Sequence, residues 1–149
     1  MIISVITTFG VILSSRTVLA DITVDSYCQL TIQTMQQETN NLQSLVNLYN
    51  QYKNDPNEFI RQEAIKKAEF EQARNALYTS FGTTADEYAL YMGEHSQEVN
   101  EFLKSNANIK QQIDSLSSQI KELLSQYESL KGHQTKPPSP LPLPKKSAE

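Results

Sequence analysis

Apolar side chains recur at alternating spacings of four and three residues from position 88 to position 130. This heptad pattern gathers side chains along one narrow face of a helix, which has to be buried against another helix. We call this set the heptad seam. Its members are Tyr88, Met92, His95, Val99, Phe102, Asn106, Ile109, Ile113, Leu116, Ile120, Leu123, Tyr127 and Leu130. The pattern predicts helices that pack and by itself indicates no chemistry.

Two further helices are predicted upstream of the seam. The first runs from Val24 to about Lys53. The second begins at Pro56, behind the N-cap residue Asp55, and ends at about Phe81, before Gly82. The first helix has a weaker seam of its own, formed by Val24, Cys28, Thr31, Met35, Glu38, Leu42, Leu45, Tyr49 and Tyr52. In the second, Ala64, Ala68, Ala73 and Ala76 suit close approach to a neighbouring helix.

A third helix starts at the capping box formed by Thr84 and Glu87. Two continuations are open, because the polar stretch 104–108 is typical of a turn while the heptad seam crosses it without losing phase. A break there gives an antiparallel four-helix bundle. An unbroken helix gives helical hairpins with a long C-terminal coiled-coil helix, in which Asn106 would fix the register of a dimer. Either way the fold class is all-α.

The two ends of the chain differ from this helical body, which we place at residues 21–131. Residues 1–20 are typical of a secretory signal peptide, with an apolar run too short to span a bilayer and Val18-Leu19-Ala20 at the cleavage site. Residues 132–149 hold five of the six prolines and predict a disordered, Pro-rich tail. We therefore expect an exported protein, periplasmic or secreted, with no membrane span after cleavage.

Charge narrows the choice of partners. Residues 21–131 carry 9 basic and 16 acidic side chains, a net charge of −7. Such a body is poorly suited to the phosphate backbone of nucleic acids.

Cys28 is the only cysteine, which excludes an intramolecular disulfide and a cysteine-based zinc site. A buried, unreactive Cys28 is the favoured interpretation, with an intermolecular disulfide as the alternative.

One polar pair is a candidate for chemistry. If the first and third helices face each other, Glu38 and His95 lie opposite one another on their seams. Such a pair could bind a metal, orient a ligand or act as a pH-sensitive latch. No further ligand stands at a suitable spacing, so we predict a simple polar pair, no metal site and no cofactor. A nucleophile with an oxyanion-forming turn is also missing from the sequence, and we expect no enzymatic activity.

The function that best fits these features is binding of another protein or self-association. A periplasmic chaperone, an adaptor or a subunit of a cell-envelope assembly combines an export signal with helical packing in this way. The alternative is a carrier of a small ligand or metal that uses a polar site inside the bundle. The candidate partner-interface residues are Asn106, Ile109, Ile113, Leu116, Ile120 and Leu123.

Overall fold

The computed structural model describes residues 22–134, with side chains as far as residue 132. This part of the chain forms five helices and no strand: α1 Val24–Tyr52, α2 Pro56–Ser80, α3 Ala85–Glu94, α4 Ser96–Ser105 and α5 Ala107–Gln134. The predicted all-helical bundle is confirmed. The predicted signal peptide and most of the predicted Pro-rich tail lie outside the described residues.

The start and end of α2 and the start of α3 form where the sequence predicts them. Asp55 accepts the Glu58 backbone N–H at 3.1 Å at the start of α2, with Pro56 in its first turn. Gly82 follows α2 with φ +70°, and the N–H of Thr83 donates to the Tyr78 carbonyl at 3.1 Å. The capping box at α3 is complete, because Thr84 and Glu87 each accept the other's backbone N–H.

The segment from Thr84 to the C-terminus is broken twice. The predicted break lies at Asn106, which leaves helical geometry and donates from Nδ2 to the Phe102 carbonyl at 2.8 Å. A second break, which we did not predict, lies at His95, with φ −118° and ψ 22°. The unbroken helix of the dimer alternative is therefore not formed, and the single third helix predicted up to Ser105 is replaced by α3 and α4.

Two apolar clusters fix the direction of the helices. The first joins the N-terminal half of α1 to α3, α4 and the start of α5, and includes Cys28, Tyr91, Val99 and Ile109. The second joins the C-terminal ends of α1 and α5 to the start of α2, and includes Tyr49, Phe59 and Tyr127. Because α1 and α5 meet start to start and end to end, they run in the same direction, with α2 antiparallel to both.

This arrangement differs from a four-helix antiparallel bundle. Three long helices make the body, and the short helices α3 and α4 connect α2 to α5 at one end. Both α2 and α5 pack mainly on α1 and scarcely on each other. The alanine-rich face of α2 does not pack closely on a neighbour, since Ala64, Ala68, Ala73 and Ala76 are all exposed. No helix among residues 22–134 is long and apolar enough to cross a membrane.

Candidate functional site

An open groove lies between α2 and α5, with α1 as its floor. It encloses a volume of about 320 Å³. The floor consists of Thr34, Gln37, Glu38, Asn41, Leu42 and Leu45 of α1. Lys67, Phe70, Glu71 and Arg74 of α2 form one wall, and Leu124 and Tyr127 of α5 form the other. We call this the α2–α5 groove. It exists because α2 and α5 each pack on α1 without closing on one another.

The floor is polar because the middle of α1 carries polar residues where its two ends carry apolar ones. The buried residues of α1 fall into a group that ends at Ile32 and a group that begins at Leu42. Between them, Thr34, Gln37, Glu38 and Asn41 follow one another at helical spacings of three, one and three residues. These four side chains therefore project from one face of α1 into the groove.

This row of polar side chains has no partners among the described residues. Thr34 Oγ1 and Gln37 Oε1 are buried, and neither atom has a hydrogen-bond partner among the described residues. No hydrogen bond or ion pair within residues 22–132 involves the side chain of Glu38 or Asn41. Buried polar atoms normally find a partner, and leaving one without costs about 1–3 kcal/mol. Glu38 and Asn41, which are half-buried, are thus able to hydrogen-bond a ligand without breaking existing side-chain bonds.

The charged side chains of the α2 wall are already paired. Lys67 Nζ lies 2.6 Å from Glu63 Oε1, and Arg74 Nη2 lies 2.5 Å from Glu71 Oε2. Each basic side chain of the wall is therefore neutralised by an acidic side chain of the same helix. Glu38 is left as the one formal charge of the groove that has no counter-ion among the described residues.

A buried carboxylate closes the groove at the C-terminal end of α5. Glu63 of α2 is 7% exposed, and its Oε1 accepts from Tyr127 Oη at 2.5 Å and Lys131 Nζ at 3.1 Å, besides Lys67. Burial raises the pKa of Glu63, but the hydrogen bonds from Lys67, Tyr127 and Lys131 outweigh it and bring the pKa to about 2. The bonds from Tyr127 and Lys131 tie α2 to α5 across this end.

A stack of aromatic rings lies where α3 packs on α1 and α2. Tyr78, Tyr88, Tyr27, Tyr91 and His95 follow one another with ring centroids 4.3–5.3 Å apart. Tyr88 Oη also hydrogen-bonds Thr31 Oγ1 at 2.9 Å, and burial raises its pKa to about 12. These contacts fasten α3 to α1 and α2, and the stack belongs to the packing of the fold.

The structure does not bring Glu38 and His95 together. Glu38 lies in the α2–α5 groove, whereas His95 lies at the junction of α3 and α4, where its Nδ1 is 3.4 Å from Glu98 Oε2 and its ring stacks on Tyr91. The polar pair predicted from the two seams is therefore not formed. The prediction required the first and third helices to face each other along their seams, and the break at His95 divides that third helix into α3 and α4.

The predicted partner-interface residues are used inside the chain. Ile109, Ile113 and Leu116 belong to the first apolar cluster, and Ile120 and Leu123 are half-buried on the same face of α5. Asn106 caps the end of α4. Their use by a partner stays a prediction.

Sequence reasoning missed the groove. Glu38 was singled out for its place on a seam, but Thr34, Gln37 and Asn41 were not. The available clue was the run of polar residues in the middle of α1, which the seam pattern marked only as weak. Its meaning depends on how far apart α2 and α5 stand, which no local pattern reports.

Other reactive groups stand apart from the groove. Cys28 is 1% exposed, and burial raises the pKa of its thiol, which disfavours the nucleophilic thiolate. Among residues 22–132, no three His, Cys, Asp or Glu side chains come together in a way that could hold a metal ion.

Comparison of this chain with protein-family models, with curated proteins and with solved structures finds no match.

Proposed function

We propose that this chain is an exported, non-enzymatic helical protein that binds a segment of another protein in the α2–α5 groove. A periplasmic chaperone, an adaptor or a cell-envelope assembly subunit would act in this way. The observation that carries the proposal is the row of unpartnered polar side chains on the groove floor, Thr34, Gln37, Glu38 and Asn41.

The composition of the groove supports binding of a protein segment. Phe70 and Leu124 offer apolar surface beside the polar row, which is the mixture that orients an occupant while burying its apolar parts. The groove is open along its length between two helices, so a chain segment can lie in it without having to enter a closed cavity. The buried state of Cys28 supports a binding role over nucleophilic catalysis.

Export is part of the proposal and is carried by residues 1–20. The apolar run followed by Val18-Leu19-Ala20 predicts cleavage after Ala20. Amino-terminal sequencing of the protein from its producing cell should therefore give Asp21 as the first residue. Protein that retains Met1 in the cytoplasm would contradict this part of the proposal.

Site-specific photo-cross-linking in producing cells tests the binding role. A photoreactive amino acid replaces Asn41 in the groove or, as the matched control on the same helix, the exposed Gln43. We expect an adduct with a second, different protein from position 41 and none from position 43. Equal adducts at both positions, or none at position 41, would contradict the proposal.

The alternative is a carrier of a small ligand, which is favoured by the groove volume of about 320 Å³, a size typical of small-molecule sites. The same experiment separates the two functions. A carrier gives an adduct a few hundred daltons heavier than the chain, whereas a protein binder gives one heavier by the mass of a second polypeptide.

A further inference from the structure

The α2–α5 groove carries one unbalanced negative charge. Lys67 and Arg74 are engaged by Glu63 and Glu71, while Glu38 has no counter-ion among the described residues. An occupant that supplies a cationic donor at this level of the groove would pair with Glu38, which is half-buried in the lining.

The other lining residues fit an extended, proline-rich chain. Phe70, Tyr127 and Leu124 give aromatic and apolar walls, against which proline rings and leucine side chains pack. The carboxamides of Gln37 and Asn41 supply N–H donors, which carbonyl groups of an extended chain need because such a chain makes no internal hydrogen bonds. Aromatic grooves that bind polyproline segments use the same combination.

This chain carries such a segment itself. Residues 137–144 read Pro-Pro-Ser-Pro-Leu-Pro-Leu-Pro and are followed directly by Lys145 and Lys146. Those residues bring the cationic groups that Glu38 lacks, together with two leucines for the apolar walls. The composition of the segment thus matches the groove in charge and in apolar character.

The segment is also long enough to reach the site. The last described residue of α5 is Gln134, and Glu38 stands beside the turn of α5 just before Leu124, about 22 Å back along the helix at 1.5 Å per residue. Lys145 is eleven positions after Gln134, and an extended polyproline chain covers about 34 Å over eleven steps of about 3.1 Å. The excess allows the chain to reverse direction after α5 and pass the Glu63 contacts.

We propose that residues 137–146 of this chain fold back into its own α2–α5 groove, with Lys145 or Lys146 paired to Glu38. The proposal rests on the groove being the binding site of the proposed function and names its resident occupant. A partner protein would then compete with residues 137–146 for the groove.

Photo-cross-linking from the segment tests the proposal on the full mature chain in dilute solution. A photoreactive amino acid replaces Leu141, and the adduct is mapped by mass spectrometry of peptides. We expect an intramolecular adduct at monomer mass, on peptides that contain the groove residues of α1, α2 or α5. Glu38→Lys should lower its yield about tenfold, as expected for loss of a charge-assisted bond, while the control Glu122→Lys, exposed on α5 outside the groove lining, should not.

A charge exchange distinguishes loss of the ion pair from misfolding of the Glu38→Lys variant. Replacing both Lys145 and Lys146 by Glu leaves the helices untouched and should lower the yield equally, and combining it with Glu38→Lys should restore the adduct. Absence of a groove adduct in the parent, an adduct of dimer mass only, or a yield indifferent to Glu38 would each overturn the proposal. The proposed function is judged separately, because cross-links from position 41 to another protein do not require this segment.

Discussion

Glu63 is the residue on which the closed end of the groove depends. Its carboxylate is buried between α2 and α5 and is satisfied by one hydroxyl and two ammonium groups. Lys131 also lies over the ring of Tyr127, 5.3 Å from its centroid. A buried charge with several donors is strongly destabilising when its partners are lost, so this cluster acts as one unit.

The lowered pKa of Glu63 gives a prediction about stability and pH. Its folded pKa of about 2 lies below the ordinary 4.5, so the carboxylate's contribution is present above pH 4.5 and is lost as the pH falls towards 2. Two and a half pKa units correspond to about 3 kcal/mol. Between pH 7 and pH 2, the free energy of unfolding by urea should therefore fall by less in Glu63→Gln than in the parent, because the variant has no carboxylate at this position to protonate.

The matched control is Glu69→Gln on the same helix. Glu69 is exposed and, among residues 22–132, pairs only with Lys66, so this variant should keep the parent's dependence of stability on pH. If Glu63→Gln and Glu69→Gln lose equal stability between pH 7 and pH 2, the cluster around Glu63 does not hold the two helices together in solution.

Single residues were predictable where they act locally. Asp55, Gly82 and Thr84 end or begin helices as their side chains dictate, because a cap involves only the backbone within a few residues. Glu63 and the floor of the groove were not predictable, since their partners lie on other helices. Tyr127 is 64 positions from Glu63 along the chain.

At the scale of the helices, the heptad seam predicts the buried positions across two breaks, with Met92 as the exposed exception. Along α5, the seam positions from Ile109 to Leu130 are all buried or half-buried, and nearly every other side chain is exposed. The breaks at His95 and Asn106 each take a single residue out of helical geometry. A one-residue interruption leaves the seam in phase, so an unbroken pattern did not require an unbroken helix.

Two glycines give a matched prediction about helix ends. An added Cβ would meet open space at both Gly82 and Gly93, but only Gly82 has a left-handed φ of +70°. Gly82→Ala should therefore destabilise the fold by about 1 kcal/mol through backbone strain. Gly93→Ala, inside α3, should stabilise it by up to about 1 kcal/mol. Urea unfolding at pH 7 measures both, and a shift of the same sign in the two variants would contradict the assignment of the α2 end.

At the scale of the whole molecule, α1 is the centre of the fold. It packs against α2, α4 and α5, and its buried residues outnumber those of any other helix among residues 22–132. The sequence predicted which faces of α1 and α5 are buried but not which face of α2, and a seam does not say which neighbour covers it. That is why the helical bundle was predictable, whereas the parallel pairing of α1 with α5 and the resulting groove were not.

The direction of α5 relative to α1 can be measured by distances between spin labels. Gln29, Lys110 and Glu128 are exposed, and Cys28 is too deeply buried to compete for the label. Because the start of α5 meets the start of α1, labels at 29 and 110 should lie side by side. Labels at 29 and 128 should be separated by about 27 Å more along the bundle axis, from eighteen residues at 1.5 Å each.

A third pair provides the control for this measurement. Asn50 is exposed near the end of α1, where α5 also ends, so labels at 50 and 128 should return to the short distance. An antiparallel bundle would reverse the order, bringing 29 close to 128 and separating 50 from 128. A reversal would remove the groove as well, because α1 forms its floor only when the polar middle of α1 stands level with Leu124 and Tyr127. The three distances therefore test the fold and the site together.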